Sequence, residues 1–144
     1  MKRWMMLAGL AAFAALMAAE ALWAFDLRRI EPSHAAGLKD AIVLDARPEK
    51  EWRKGHLPDA LSFSWENYTR TGEDGVKWRI LPAEQLADAL GAMGVGHTDA
   101  VLVYGDADTS WGGEGWLVWV LAWLGHQGPV YYLDGGIQGW KTGN

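Results

Sequence analysis

Residues 103 to 113 read VYGDADTSWGG and bring together the carboxylates of Asp106 and Asp108, the hydroxyls of Thr109 and Ser110, and then Trp111 and Gly112. The stretch joins two apolar runs, Ala100 to Tyr104 and Gly115 to Leu124. α/β proteins keep nucleophiles and anion-binding loops at such strand-to-helix junctions. Hydrolysis by Ser110 requires a G-x-S-x-G elbow, which Thr109-Ser110-Trp111 does not supply. Calcium binding by the D-x-D-x-S run, Asp106 to Ser110, requires Gly at the sixth loop position and Glu at the twelfth, where Trp111 and Leu117 stand. An anion such as thiosulfate is favoured by a helix N-terminus, but Asp106 and Asp108 oppose it with charge of the same sign. What remains is capping: Asp108, Thr109 or Ser110 is expected to accept backbone N–H bonds at the start of the next helix.

The other candidate groups are sparse. His34, His56, His97 and His126 share no i, i+4 or H-x-H spacing, so no metal site is expected, and no residue pattern calls for a cofactor. The chain has no cysteine, which excludes a disulfide, a thiolate-bound zinc and a thiol nucleophile. Its 144 residues are 50% hydrophobic and 22% charged, as in a single globular domain. A net charge of -5 with no Lys/Arg cluster beyond short pairs excludes nucleic acid as a partner.

The elements that would position the loop are legible from runs and breakers. Ala41 to Leu44, ending in Asp45, is apolar at successive positions, as in a strand covered on both faces. Leu61 to Trp65 is a second short run, and residues 66 to 80 are expected to form a surface loop. Pro82 opens a helix carrying Leu86, Leu90 and Met93 on one face, and Gly94 ends it. Ala100 to Tyr104 is the clearest strand and Gly115 to Leu124 the clearest helix, expected to be buried on most sides because it lacks charge. Val130 to Leu133 is another strand, ended by the Asp134-Gly135-Gly136 turn. Strands alternating with helices predict an α/β fold, a mostly parallel sheet with helices on both faces, over residues 25–144.

Three blocks, IVLDARPEKEWRKGHLPDAL (42–61), VLVYGDADTSWGG (101–113) and LGHQGPVYYLDGGIQGW (124–140), in this order and spacing resemble the rhodanese family. In detail they are similar to the first domain of two-domain thiosulfate or 3-mercaptopyruvate sulfurtransferases, which carry a tryptophan-rich helix before the Leu-Gly-His. Trp116, Trp119 and Trp123 stand in that helix here. The resemblance implies a rhodanese-like parallel sheet, and a chemistry in which a cysteine after the Tyr104-type strand holds sulfane sulfur as a persulfide. Gly105 stands near that cysteine's position, so the resemblance implies no catalytic residue in this chain. Asp45, Arg47 and His56 match the family's D-x-R and Gly-His motifs, with a structural role as the expectation: a strand end, an ion pair and a turn. His126 is expected to close the helix C-terminus, where a cation or donor is favoured. The three helix tryptophans read as core packing, or in part as a face meeting a second domain.

Lys2 and Arg3 precede an uncharged stretch, Trp4 to Ala19, and Ala19-Glu20-Ala21 has the small-x-small pattern of a cleavage site. Residues 1–21 are therefore read as a signal peptide, with a periplasmic or secreted domain following. The alternative, an uncleaved membrane anchor, meets a length problem: the stretch spans roughly 24 Å as a helix, against a hydrocarbon core of roughly 30 Å. No stable membrane span is expected after cleavage. Asn67-Tyr68-Thr69 fits a glycosylation sequon, a pattern that is frequent by chance. The expectation is thus the non-catalytic first half of an exported sulfurtransferase, partnered by a second rhodanese-like domain in the full-length chain. The alternative is a stand-alone, silent rhodanese-like binding module outside the cytoplasm.

Overall fold

A computed structural model describes residues 24–106 and 111–143. The proposed leader therefore lies outside the described residues, as do Asp108, Thr109 and Ser110. Five strands form one wholly parallel sheet: β1 (Leu27–Ile30), β2 (Ile42–Asp45), β3 (Leu61–Ser62), β6 (Val101–Tyr104) and β7 (Val130–Leu133), in the order β1-β7-β6-β2-β3. The helices are α1 (Pro32–Ala35), α2 (Glu49–Lys54), α3 (Ala83–Ala92), α4 (Gly113–Trp123) and α5 (Gly136–Gly143).

Side chains alternate across β6 because successive strand residues face opposite sides of a sheet. Val101 and Val103 point to one face, where Leu86 and Leu90 of α3 and Leu117, Val120 and Leu121 of α4 complete a core with Leu44 and Phe63. Leu102 and Tyr104 point to the other, against Ala35 of α1, Ile137 of α5 and Leu133. The expected mostly parallel sheet with helices on both faces is the architecture observed. β6 is buried at every position, which explains why its sequence is apolar without alternation.

The segment 66–80 departs from the surface loop expected of it. It carries the end of a 3-10 helix (Trp65–Tyr68) and an antiparallel pair, β4 (Thr69–Arg70) with β5 (Arg79–Ile80). Polar residues obscured it because such a short hairpin exposes nearly all of its side chains. Tyr68 anchors it by stacking on the buried Phe63 at a centroid distance of 4.0 Å. Helix α4 is also less enclosed than its lack of charge suggested: Trp119 is 51% exposed and Trp123 46%, their rings stacked 5.4 Å apart on the outer surface. Core packing therefore accounts for Trp116, which is half-buried near Phe63 at 6.3 Å, and not for the other two tryptophans. Among the described residues no helix is long and apolar enough to cross a membrane.

Candidate functional site

The carboxyl ends of β2 and β6 lie side by side, with Asp45 in register with Tyr104. Asp45 is fully buried, and a carboxylate there requires partners to offset its desolvation. The chain supplies them locally. The Arg47 backbone N–H donates to Oδ1 at 2.9 Å, its Nε to Oδ1 at 2.9 Å and its Nη2 to Oδ2 at 2.6 Å. The Tyr104 hydroxyl donates to Oδ2 at 2.5 Å and itself accepts the Leu57 N–H at 3.1 Å. Arg47 Nη2 also donates to the Gly55 carbonyl at 2.8 Å, and its guanidinium lies 5.5 Å from the Tyr104 ring centroid. Burial pushes the Tyr104 hydroxyl well above its ordinary pKa, and its hydrogen bond to Asp45 pushes it further. Burial works to lower the Arg47 pKa, but hydrogen bonding and charge from Asp45 outweigh it and raise the value. Both groups thus keep their protons at any physiological pH. The network fastens β2, β6 and the α2–β3 connection together directly beneath the loop that starts at Gly105.

That loop begins inside the protein. Gly105 is buried, and its carbonyl accepts the Ile137 N–H at 2.9 Å. The Gln138 side chain donates to Asp106 Oδ1, which ties the half-buried start of the loop to α5. At its far end Trp111 is 94% exposed with φ +54°, and Gly112 follows with φ +76°. Gly112 is the N-cap of α4, so the cap falls two residues beyond the Asp108–Ser110 segment expected to provide it. A glycine in the left-handed region turns the chain into the helix without a side-chain cap. Gly113 opens the helix against the β2 turn, where a Cβ would stand 2.7 Å from the Ala46 carbonyl oxygen. A glycine there lets the helix N-terminus approach the strand ends this closely.

The remaining sequence candidates lie apart from the loop. His56 is exposed, stacked on Trp52 at 4.7 Å, with Nδ1 2.9 Å from the Leu57 carbonyl. His126 closes the end of α4 through its backbone, whose N–H donates to the Leu121 carbonyl at 3.0 Å, after Gly125 at φ +75°. Its ring reaches the Asp99 carbonyl at 2.9 Å, and burial pulls its pKa below the ordinary histidine value. Among the described residues no three His, Asp or Glu side chains group as metal ligands.

Sequence reasoning missed two features. Tyr104 was read only as a strand residue, although a hydroxyl at the end of a fully buried strand requires a partner. The second is an open groove of about 620 Å³ beside the loop, lined by Trp65, Glu66, Thr69, Trp78, Trp111 and Trp116. Trp65 and Trp78 meet edge to face at 5.1 Å and 73°. The signal was the density of tryptophan, ten in the chain, two of them in segments read as a short run and a loop.

With its strands, its loop and its D-x-R network in place, the chain can be set beside known proteins. The rhodanese-like domain model matches residues 31–142. A probable 3-mercaptopyruvate sulfurtransferase of Pseudomonas aeruginosa is 33% identical over 115 residues, which are 72% of this chain and 39% of that protein. A Synechococcus elongatus protein provisionally named a thiosulfate sulfurtransferase is 33% identical over 105 residues, 72% of this chain and 32% of its own length. The chain thus spans well under half the length of these curated relatives. The crystal structure of the Escherichia coli 3-mercaptopyruvate sulfotransferase superposes with a TM-score of 0.61 at 20% identity, over 79% of this chain and 47% of that one. This chain belongs to the rhodanese-like domain family.

Proposed function

We propose that this chain is the exported, non-catalytic first half of a thiosulfate or 3-mercaptopyruvate sulfurtransferase, and that a second rhodanese-like domain supplies the nucleophile. One observation carries the reading: the chain has no cysteine, and Gly105, directly after β6, stands near the position at which the family resemblance implies one. No side chain here can form a persulfide. The Asp45–Arg47–Tyr104 network then positions the strand ends rather than reacting. The stacked Trp119 and Trp123 offer apolar surface of the kind a neighbouring domain covers. The domain would complete the cleft between the two halves and stabilise its partner, and export would follow from residues 1–21.

Reading the genomic frame past the Asn144 codon tests this directly. A frame that continues into a second rhodanese-like domain with a cysteine loop supports the proposal. A stop codon there overturns it and leaves the stand-alone binding module. Export is tested separately by fusing residues 1–30 to alkaline phosphatase, an enzyme active only after translocation; an inactive fusion removes that part of the reading.

A further inference from the structure

We propose that the tryptophan-lined groove beside the loop is a binding site for a small alkylated ammonium ion, a quaternary or fully methylated amine. Trp65, Trp78, Trp111 and Trp116 border one open volume of about 620 Å³, within the range that small-molecule sites occupy. Indole faces are electron-rich, and tryptophan is the strongest aromatic partner for a cation. The edge-to-face packing of Trp65 and Trp78, 73° apart at 5.1 Å, sets two rings as adjoining walls of a corner. Trp78 and Trp111 both hold positive backbone angles, φ +64° and +54°, which is costly for bulky side chains. Both indoles border the groove and are more than half exposed, at 63% and 94%.

The charge of the lining selects the ligand class. Glu66 is the one ionisable residue among the lining residues, and no ion pair engages it among the described residues. Among the described residues no basic side chain lines the groove. The chain's net charge of -5 draws cations and repels anions. Thr69, also in the lining, keeps a buried hydroxyl with no hydrogen-bond partner, a polar group that the empty fold leaves uncompensated. A primary ammonium or a metal ion would lose strongly held water on entering an indole-walled site. A trimethylammonium group carries the same charge on an apolar surface and loses little. The site does not depend on the sulfur chemistry of the family or on the identity of any second domain.

Titration of the purified chain with choline, followed by tryptophan fluorescence and calorimetry, tests the proposal. 3,3-Dimethylbutan-1-ol, the uncharged carbon isostere of choline, serves as the probe of charge. Choline is expected to bind saturably, at a Kd on the order of 1 mM, and the neutral isostere about tenfold or more weakly. Trp78→Ala and Glu66→Gln each weaken choline about five- to tenfold, whereas Trp119→Ala, at a residue outside the groove's lining, leaves it unchanged. Trp78 and Glu66 are exposed, so both variants keep the fold, and far-ultraviolet circular dichroism verifies it. Equal binding of choline and the isostere overturns the proposal in favour of a merely apolar groove. Absence of saturable choline binding overturns it too, and if Trp78→Ala then weakens association with another rhodanese-like domain, the groove is a protein contact.

Discussion

Replacing Tyr104 by phenylalanine isolates the hydroxyl that joins the two strand ends. The ring stays, so neither a cavity nor the packing against Leu57 and Leu133 changes, and the ring remains 5.5 Å from the Arg47 guanidinium. Two hydrogen bonds go. Asp45 loses the 2.5 Å donor on Oδ2, and the Leu57 N–H, in a residue only 2% exposed, loses its 3.1 Å acceptor. A hydrogen bond to a charged acceptor contributes about 1.5–3 kcal/mol, and a buried donor left without a partner costs about 1–3 kcal/mol. Asp45 keeps its four hydrogen bonds from Arg47, and the vacated space lets groups shift by a few tenths of an ångström, so the lower parts of both ranges apply. A loss of about 3 kcal/mol follows, large beside a total stability of about 5–15 kcal/mol. Urea unfolding of the wild type and Tyr104→Phe, followed by circular dichroism at 222 nm, measures it. The midpoint should fall with the slope unchanged, and Tm should drop by about 10 °C. Arg28→Ala, which removes an exposed, solvent-screened pair with Asp26, should leave the midpoint almost unchanged. A Tyr104→Phe loss no larger than that of Arg28→Ala would refute the view that this hydroxyl fastens the sheet ends beneath the loop.

Three further outcomes follow from named contacts. Gly113→Ala drives a Cβ to 2.7 Å from the Ala46 carbonyl and should destabilise by about 1–3 kcal/mol, whereas Gly115→Ala, with open space around it, should stabilise by about 0.5 kcal/mol. Differential scanning calorimetry of the two variants should give Tm shifts of opposite sign. His126 has a folded pKa depressed by burial, so the unfolded chain takes up its proton first as pH falls. Its contribution is therefore complete above the ordinary histidine value and lost as pH falls through the lower folded value, and His126→Gln should flatten that part of the urea-midpoint profile against pH. Gly105→Cys should leave thiocyanate formation from thiosulfate and cyanide at the buffer blank, since Gly105 is buried and the adjoining Asp106 carboxylate raises rather than lowers the pKa of a thiol beside it. Activity well above the blank would show that the loop retains a working cradle.

The parts of this fold that were legible in the sequence are those where one physical requirement acts alone. Val101 to Tyr104 is buried on both faces, so every position had to be apolar, and a run without alternation names such a strand directly. The end of α3 was legible for a similar reason: past the C-cap the chain turns at φ +85°, where Gly94 stands. The hairpin of β4 and β5 answered to two demands at once, since its solvent-facing side chains concealed the pairing that its backbone makes. The sequence of α4 misled in the opposite direction. The uncharged run from Gly115 to Leu124 suggested enclosure, but a helix against one face of a sheet buries one stripe, here Leu117, Val120 and Leu121, and leaves the other outside.

The same distinction governs the candidate site. D-x-R spacing was visible because Asp45 and Arg47 are two residues apart, and their pairing is local. The third member, Tyr104, is 59 residues away and enters only because parallel pairing of β2 with β6 puts it in register with Asp45. The groove has the same character, since Trp65 and Trp78 belong to a segment whose hairpin folds them together, while Trp111 comes from the junction before α4 and Trp116 from α4 itself. Single residues announced their chemistry, and neighbours in space did not. The strand ends, the close approach of α4 at Gly113 and the buried ion pair all remain, although each is costly to build: a glycine in a helix, a desolvated carboxylate and left-handed Trp111. Features of this cost persist where they position something. Their presence fits a loop that still has something to position, whether a neighbouring domain or a ligand in the groove beside it.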